Sequence, residues 1–348
     1  MQINEESLRK KHKALLIKDL IDHYILTELS DSAKWHSHST KIVYKGYLER
    51  WVRPSWGGFN IREVRTIVVE EWLRHLNRAD GKPLANSTKA KIRNLMSVLF
   101  NHAVRYEWLA QGKNPVTLVR QSAQRMNTPV VLLPRQIQSL LTILESPYRL
   151  MVLLAATTGL RRSELFALKW EDVDYASLTL QIRRSIYGRV VGNCKTATSK
   201  KDLPLSSYVA GELRYWQQQS SYKRASDWVF ASPRSNGVYP YWPAVLLAKS
   251  IRPAAARAGI MKRIGWHTFR HTYSTMLVAN GENVKVVQEL MRHANSRCTL
   301  EIYSQAGRAD KRVAQQRILQ LIFPEDLNSN QLNTSPETNG GGSFEWIN

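Results

Sequence analysis

Apolar residues recur with helical spacing over most of the chain. Leu15, Leu16, Leu20, Ile21, Tyr24 and Ile25 fall on one helical face, and further helices are predicted over residues 39–51 and 62–76. The clearest pattern follows Asn86-Ser87-Thr88, a run of capping residues. There Ile92, Leu95, Met96, Leu99, Phe100, Ala103 and Val104 recur at i, i+3, i+4 and i+7. Lys89, Lys91, Arg93 and Arg105 occupy the opposite face and give this four-helix stretch a basic surface. Asn114-Pro115 closes it, because proline disfavours helical geometry in the residue before it. Residues 119–131 show no apolar period and read as an extended linker.

Leu133-Pro134-Arg135 opens a second domain, with proline placed to start a helix. Residues 148–157 are nearly all apolar and predict a buried central helix. Thr158-Gly159 is read as a tight turn before a helix, which is expected to continue after Glu164-Leu165 to about Trp170. Leu178, Leu180 and Ile182 then alternate with Thr179, Gln181 and Arg183, the two-residue period of a half-buried strand. Gly188 and Gly192-Asn193 are read as turns, with residues 195–205 completing a small sheet. Helices follow over 207–220, 242–258, 267–278, 284–293, 299–303 and 311–322, and the Asn-, Ser-, Thr- and Gly-rich residues 328–348 predict disorder. The fold class is therefore mainly α with a small antiparallel β-sheet in the second domain. The layout is a polar leader (1–12), a helical domain (13–115), a linker (116–132), a second domain (133–324) and an acidic, polar tail (325–348).

Charge narrows the choice of partner. The 348 residues carry a net +22, and the tail from Glu325 onward holds four acids and no Lys or Arg, so residues 1–324 carry +26. Such an excess points to a polyanion, nucleic acid ahead of an acidic membrane surface. Cys194 and Cys298 are the two cysteines, too few for a disulfide framework, and are expected to be free in a reducing compartment. No apolar run approaches the roughly 18 residues of a membrane span, and the N-terminus lacks a signal-peptide pattern. A cytoplasmic, DNA-associated protein is expected, with no membrane partner.

The residues left over suit work on a phosphodiester. A guanidinium offers paired planar donors that match phosphate oxygens, making Arg161 and Arg270 the expected clamp. Gly159 permits the turn that points Arg161 inward. Arg162 and His271 are read as facing elsewhere. Tyr303 is the candidate nucleophile, and His267 is placed to accept its phenolic proton. A leaving alkoxide needs a proton, which Lys195 can supply if its cationic neighbours lower its pKa. His293 would donate to a phosphate oxygen, while Glu164 orients basic side chains from behind. Lys89, Lys91, Arg93, Lys200 and Lys201 are candidate DNA contacts. Neither a metal nor a cofactor is expected: His267 and His271 have metal-ligand spacing, but Thr268 stands between them where a metalloprotease helix needs Glu.

The order of these boxes resembles the tyrosine recombinases of the phage integrase family. Thr158-Gly159-Leu160-Arg161-Arg162-Ser163-Glu164-Leu165 is similar to the first arginine box. Lys195-Thr196 with Leu203-Pro204-Leu205 is similar to the lysine hairpin, and His267-Thr268-Phe269-Arg270-His271 to the second box. His293 stands ten residues before Tyr303, as in the family. One departure is visible: Arg292 occupies the position before His293, where the family usually has glycine. The resemblance implies a two-domain DNA clamp carrying out site-specific recombination. It further implies a 3′-phosphotyrosyl link, a four-way junction, a homotetramer on two double-stranded attachment sites with a dimer on each, and accessory DNA-bending or directionality factors. Integration or excision of a mobile element such as a prophage is the expected outcome. Two other readings stay open: type IB topoisomerase-like nicking and resealing of one duplex, and a DNA-binding regulator without catalysis.

Overall fold

The computed structural model describes residues 15–31, 36–124, 129–193, 201–303 and 318. The leader, the tail, Cys194 and, apart from residue 318, the helix expected at 311–322 lie outside them. The first half folds as α1 (Ile17–Glu28), α2 (His38–Tyr47), α3 (Arg53–Trp56), α4 (Thr66–His75) and α5 (Asn86–Arg105). A π-helical turn at Leu48–Val52 joins α2 to α3 without a break, so this helix runs further than expected. Leu20, Leu48, Leu73, Leu99 and Phe100 are sealed in one core that also takes in Val116 and Val119. Ala85, not Asn86, caps α5: Asn86, Ser87 and Thr88 already form its first turn.

The basic face of α5 differs from its sequence reading. Lys89 is buried and donates to the Arg74 carbonyl at 2.6 Å. Arg93 reaches the carbonyls of Thr117 at 2.8 Å and Val119 at 3.2 Å, which secures the chain where it leaves this core. Arg105 pairs with Glu28. Lys91 is exposed. The reason is geometric: a 20-residue helix packed on several neighbours turns part of its polar face toward loops, and long cationic stems satisfy the loop carbonyls there.

A second core begins at Leu132. α6 (Pro134–Ile143) and α7 (Tyr148–Thr158) are followed by a single helical turn, α8 (Arg162–Leu165). The helix predicted to reach Trp170 stops here. Leu165, Phe166, Ala167 and Leu168 are all buried, so the segment has no polar face to offer solvent, and Asp172 accepts the Lys169 N–H at 2.8 Å to start a new 3-10 turn. β1 (Val173–Asp174), β2 (Thr179–Leu180) and β5 (Leu203–Pro204) form an antiparallel sheet in the order β1-β2-β5. The predicted strand is short, covering Thr179–Leu180, and the Gln181 N–H continues its register by donating to the Asp172 carbonyl. A separate hairpin pairs β3 (Arg184–Tyr187) with β4 (Val190–Asn193) around Gly188, and Gly192 lies inside β4 opposite Ser185 rather than in a turn.

The remainder is helical: α9 (Ser207–Gln219), α10 (Pro243–Leu246), α11 (Arg252–Arg257), α12 (Trp266–Ala279), α13 (Val284–Leu290) and α14 (Ser296–Tyr303). α7 is apolar on every side, as a central helix must be, and α12 packs directly on it. α14 rests on α12 and α13. The Leu132 N–H donates to Thr272 Oγ1 at 3.0 Å, and Lys262 Nζ donates to the Val131 carbonyl at 2.9 Å, so the incoming chain is tied to α12 and the loop before it. The two halves meet where His38 on α2 faces Tyr187 of the hairpin, ring centres 6.5 Å apart. Among the described residues no helix is long and apolar enough to cross a membrane.

Candidate active site

The site forms where three chain turns converge. The first is the end of α7. Gly159 caps it in the left-handed region (φ +61°), and a Cβ there would stand 2.7 Å from Tyr273 Cδ1 and 3.0 Å from Met291 Sδ. Only glycine meets both demands. The reversal sets Arg161 at the start of α8, where Glu164 Oε2 accepts its main-chain N–H at 2.9 Å and Glu164 Oε1 accepts Nη1 at 2.7 Å.

The second turn begins α12, where the Thr268 hydroxyl accepts the Gly265 N–H at 3.0 Å. Trp266 and Phe269 anchor the helix in the core and bury Arg270 beside them. Arg270 Nη1 donates to the Gly159 carbonyl and Nη2 to the Met291 carbonyl at 2.5 Å. His267, one turn earlier, stays exposed.

The third turn ends α13. Arg292 takes the left-handed conformation (φ +50°), the backbone state for which glycine is best suited. Its carbonyl receives Arg161 Nη2 at 3.0 Å. Consecutive carbonyls, Met291 and Arg292, are thus held by the two candidate clamp arginines. His293 follows directly, with Nδ1 2.9 Å from the buried Thr299 hydroxyl of α14. When that hydroxyl donates, the imidazole keeps its hydrogen on Nε2 and remains a neutral donor.

Electrostatics favours neutral histidines and a charged carboxylate. Desolvation first, then Arg270, Arg161, Arg292 and His271, bring His293 down to about 4. Desolvation, His271, Arg270, Arg162 and Arg161 lower His267 in the same sense. Arg162 and His271, read from sequence as facing elsewhere, lie close enough to His267 to contribute to that lowering. Burial pushes the Glu164 carboxyl up, but the charges of Arg292 and Arg161 and the hydrogen bonds from Arg161 outweigh it, leaving the carboxyl below its ordinary range.

Three of the sequence candidates, Arg161, Glu164 and Arg270, are joined to this turn by hydrogen bonds, His293 follows it in the chain, and His267 lies within reach of the arginine charges. Tyr303 closes α14, with its side chain outside the described residues, as are Lys195 and Lys200. Lys201 is exposed, with Nζ 4.0 Å from Glu289 of α13. Two participants carried no sequence signal for these roles. A threonine six residues past a histidine makes no pattern, and nothing in the sequence says that Arg292 points inward. Among the described residues no three His, Cys, Asp or Glu side chains group as metal ligands. Two guanidiniums beside two neutral imidazoles suit an anionic phosphoryl group whose charge grows during attack.

Comparison with known proteins gives the same picture. Residues 130–309 match the model of the phage integrase family. A tyrosine recombinase of Pseudothermotoga lettingae is 30% identical over 264 residues, covering 75% of this chain and 84% of that protein. The Tn1549 transposon integrase, solved in complex with transposon right end DNA, superposes with a TM-score of 0.70 at 20% identity, over 88% of this chain and 100% of that one. A lambda integrase tetramer bound to a Holliday junction gives a TM-score of 0.62 at 20% identity, over 83% of this chain and 78% of that one. The shared fold, the extent of the family match and the identity to a tyrosine recombinase agree that this chain belongs to the phage integrase family.

Proposed function

We propose that the protein recombines two specific DNA sites, with Tyr303 as the attacking residue. As a tyrosine recombinase it breaks and rejoins DNA. In the proposed step Tyr303 Oη forms a bond to phosphorus while the bond from phosphorus to the 5′ oxygen breaks. His267 takes the phenolic proton, and Lys195 protonates the departing 5′ oxygen. Arg161 and Arg270 hold the non-bridging oxygens, and His293 donates a hydrogen bond to one of them. The 5′ hydroxyl of a partner strand then attacks the 3′-phosphotyrosyl link and releases the tyrosine. Bond energy is conserved throughout, so the reaction needs no nucleotide.

The observation that carries this reading is the attachment of Arg161 and Arg270 to the successive carbonyls of Arg292 and Met291, immediately before His293. It brings near one another three side chains suited to a phosphate, from positions far apart in the chain, which supports this reading. By analogy with the lambda integrase tetramer on a Holliday junction, four protomers would act on two sites, two on each; DNA-bending or directionality factors are a separate expectation. The first helical unit would grip one side of the duplex and 133–324 the other, across the chain that leaves the first core after Val119. Integration or excision of a mobile element is the expected result.

The test is recombination between two duplexes carrying the sequences that flank the gene, run beside relaxation of a supercoiled plasmid. Joined products from both duplexes are expected. Strong relaxation with no joining would instead mean topoisomerase-like action on a single duplex.

A further inference from the structure

Arg292 combines features that ordinary packing does not explain. It is fully buried, at 0% exposure, and carries a left-handed backbone (φ +50°). A buried guanidinium is costly without a close partner. The partner is Glu164, whose Oε2 accepts Arg292 Nη2 at 2.5 Å. Glu164 also binds Arg161 Nη1 at 2.7 Å, and Arg161 Nη2 returns to the Arg292 carbonyl at 3.0 Å. The result is a closed ring: the Arg292 side chain, Glu164, Arg161, and the Arg292 main chain.

We propose that Arg292 is a positioning residue for strand cleavage, holding the Glu164 carboxylate from the buried side so that Arg161 is fixed in place yet keeps its charge for the phosphate. Charge counting gives the reason. Arg161 and Glu164 alone form a neutral pair, and a phosphate meeting that pair would gain little. With Arg292 as a second cation on the same carboxylate, the group carries +1, and the cation nearer solvent is Arg161, whose side chain is 30% exposed against 0% for Arg292. The same residue sets the turn that presents His293. A glycine could adopt that turn but could not supply the charge.

The inference rests on the reading of Arg161 as a phosphate ligand, and the experiment separates the two. Arg292→Lys and Arg292→Met carry the same backbone demand and similar volume, but only lysine keeps the cation. Single-turnover cleavage of a nicked suicide duplex is measured at saturating DNA, with the dissociation constant determined separately. Arg292→Met should cleave about 10- to 100-fold more slowly than wild type with little change in DNA affinity, and Arg292→Lys should recover much of the loss. In a Glu164→Gln background, Arg292→Met should add no further loss, because the route to Arg161 is already cut. Equal rates for the Lys and Met variants, or a full Met defect persisting in the Glu164→Gln background, would overturn the proposal. Arg161→Ala is the control for the parent reading: normal cleavage by that variant removes Arg161 from the phosphate site. Loss of cleavage by Arg161→Ala, with wild-type rates for both Arg292 variants, overturns only the role of Arg292.

Discussion

Arg270 donates a hydrogen bond to the carbonyl oxygen of Gly159, 111 residues earlier in the chain. That bond joins the end of α7 to α12 and makes the glycine turn part of the proposed phosphate clamp. The turn has little room to adapt, since a Cβ at residue 159 would stand 2.7 Å from Tyr273 Cδ1.

Gly159→Ala is expected to destabilise the fold by about 2–4 kcal/mol. A left-handed backbone costs an L-residue roughly 1–2 kcal/mol, and crowding a packed core costs about as much again. The new methyl would press on Tyr273 and Met291 and displace the carbonyl that Arg270 uses. Urea denaturation measures this, and a loss below about 0.5 kcal/mol would mean that the turn relaxes freely.

Lys89 and Lys91, two residues apart on α5, should behave oppositely. Lys91 is exposed, and Lys91→Ala should lower the salt slope of DNA binding by about one phosphate contact while leaving stability unchanged. Lys89 is spent on the Arg74 carbonyl, so Lys89→Ala should destabilise the helical unit without altering that slope. Fluorescence anisotropy titrations at several salt concentrations distinguish them, and a reduced slope for Lys89→Ala would contradict the assignment.

The contrast between these lysines shows what the sequence could and could not convey. Apolar periodicity was enough to find α5, because the repeat of Ile92, Leu95, Met96 and Leu99 is fixed by one packed face. The fate of a lysine on the other face depends on which loop carbonyls come near, and no local pattern encodes that. The arginine and histidine boxes were legible because their spacing reflects chemistry imposed on short segments. Thr299 and the inward turn of Arg292 were not, since each acts across elements that only the fold brings together. The helix predicted through Trp170 failed for a related reason: the run Leu165-Phe166-Ala167-Leu168 is buried on all sides, and periodicity cannot distinguish a helix from a turn there.

Thr299→Val should slow cleavage by about tenfold with little loss of DNA binding, because the His293 ring would lose the hydroxyl that fixes its orientation. Thr299→Ser keeps the hydroxyl and should retain most of the rate. Single-turnover cleavage at saturating DNA decides the matter, and equal rates for the Val and Ser variants would remove Thr299 from the site.

Stability should fall on acidification between about pH 6.5 and 4. Burial brings both His102 and His293 down to about 4, below the ordinary imidazole value of 6.5. The unfolded chain therefore binds more protons than the folded one across that window, so the stabilisation is complete above it and is lost as the pH drops. Glu164 acts at the acid end, since its lowered carboxyl contributes until the pH falls below the usual carboxylate range. Denaturant midpoints at pH 7 and pH 5 test the sign, and His102→Gln should flatten the dependence. A midpoint that rises toward pH 5 would contradict it.

In the proposed reaction Tyr303 attacks a phosphodiester held by Arg161 and Arg270. The most direct measurement is covalent capture of a nicked suicide duplex, with the attached peptide located by mass spectrometry. Wild-type protein should give a DNA adduct at Tyr303, and Tyr303→Phe should give none while binding the same DNA with nearly unchanged affinity. An adduct persisting in Tyr303→Phe, or mapping to another residue, would contradict the account.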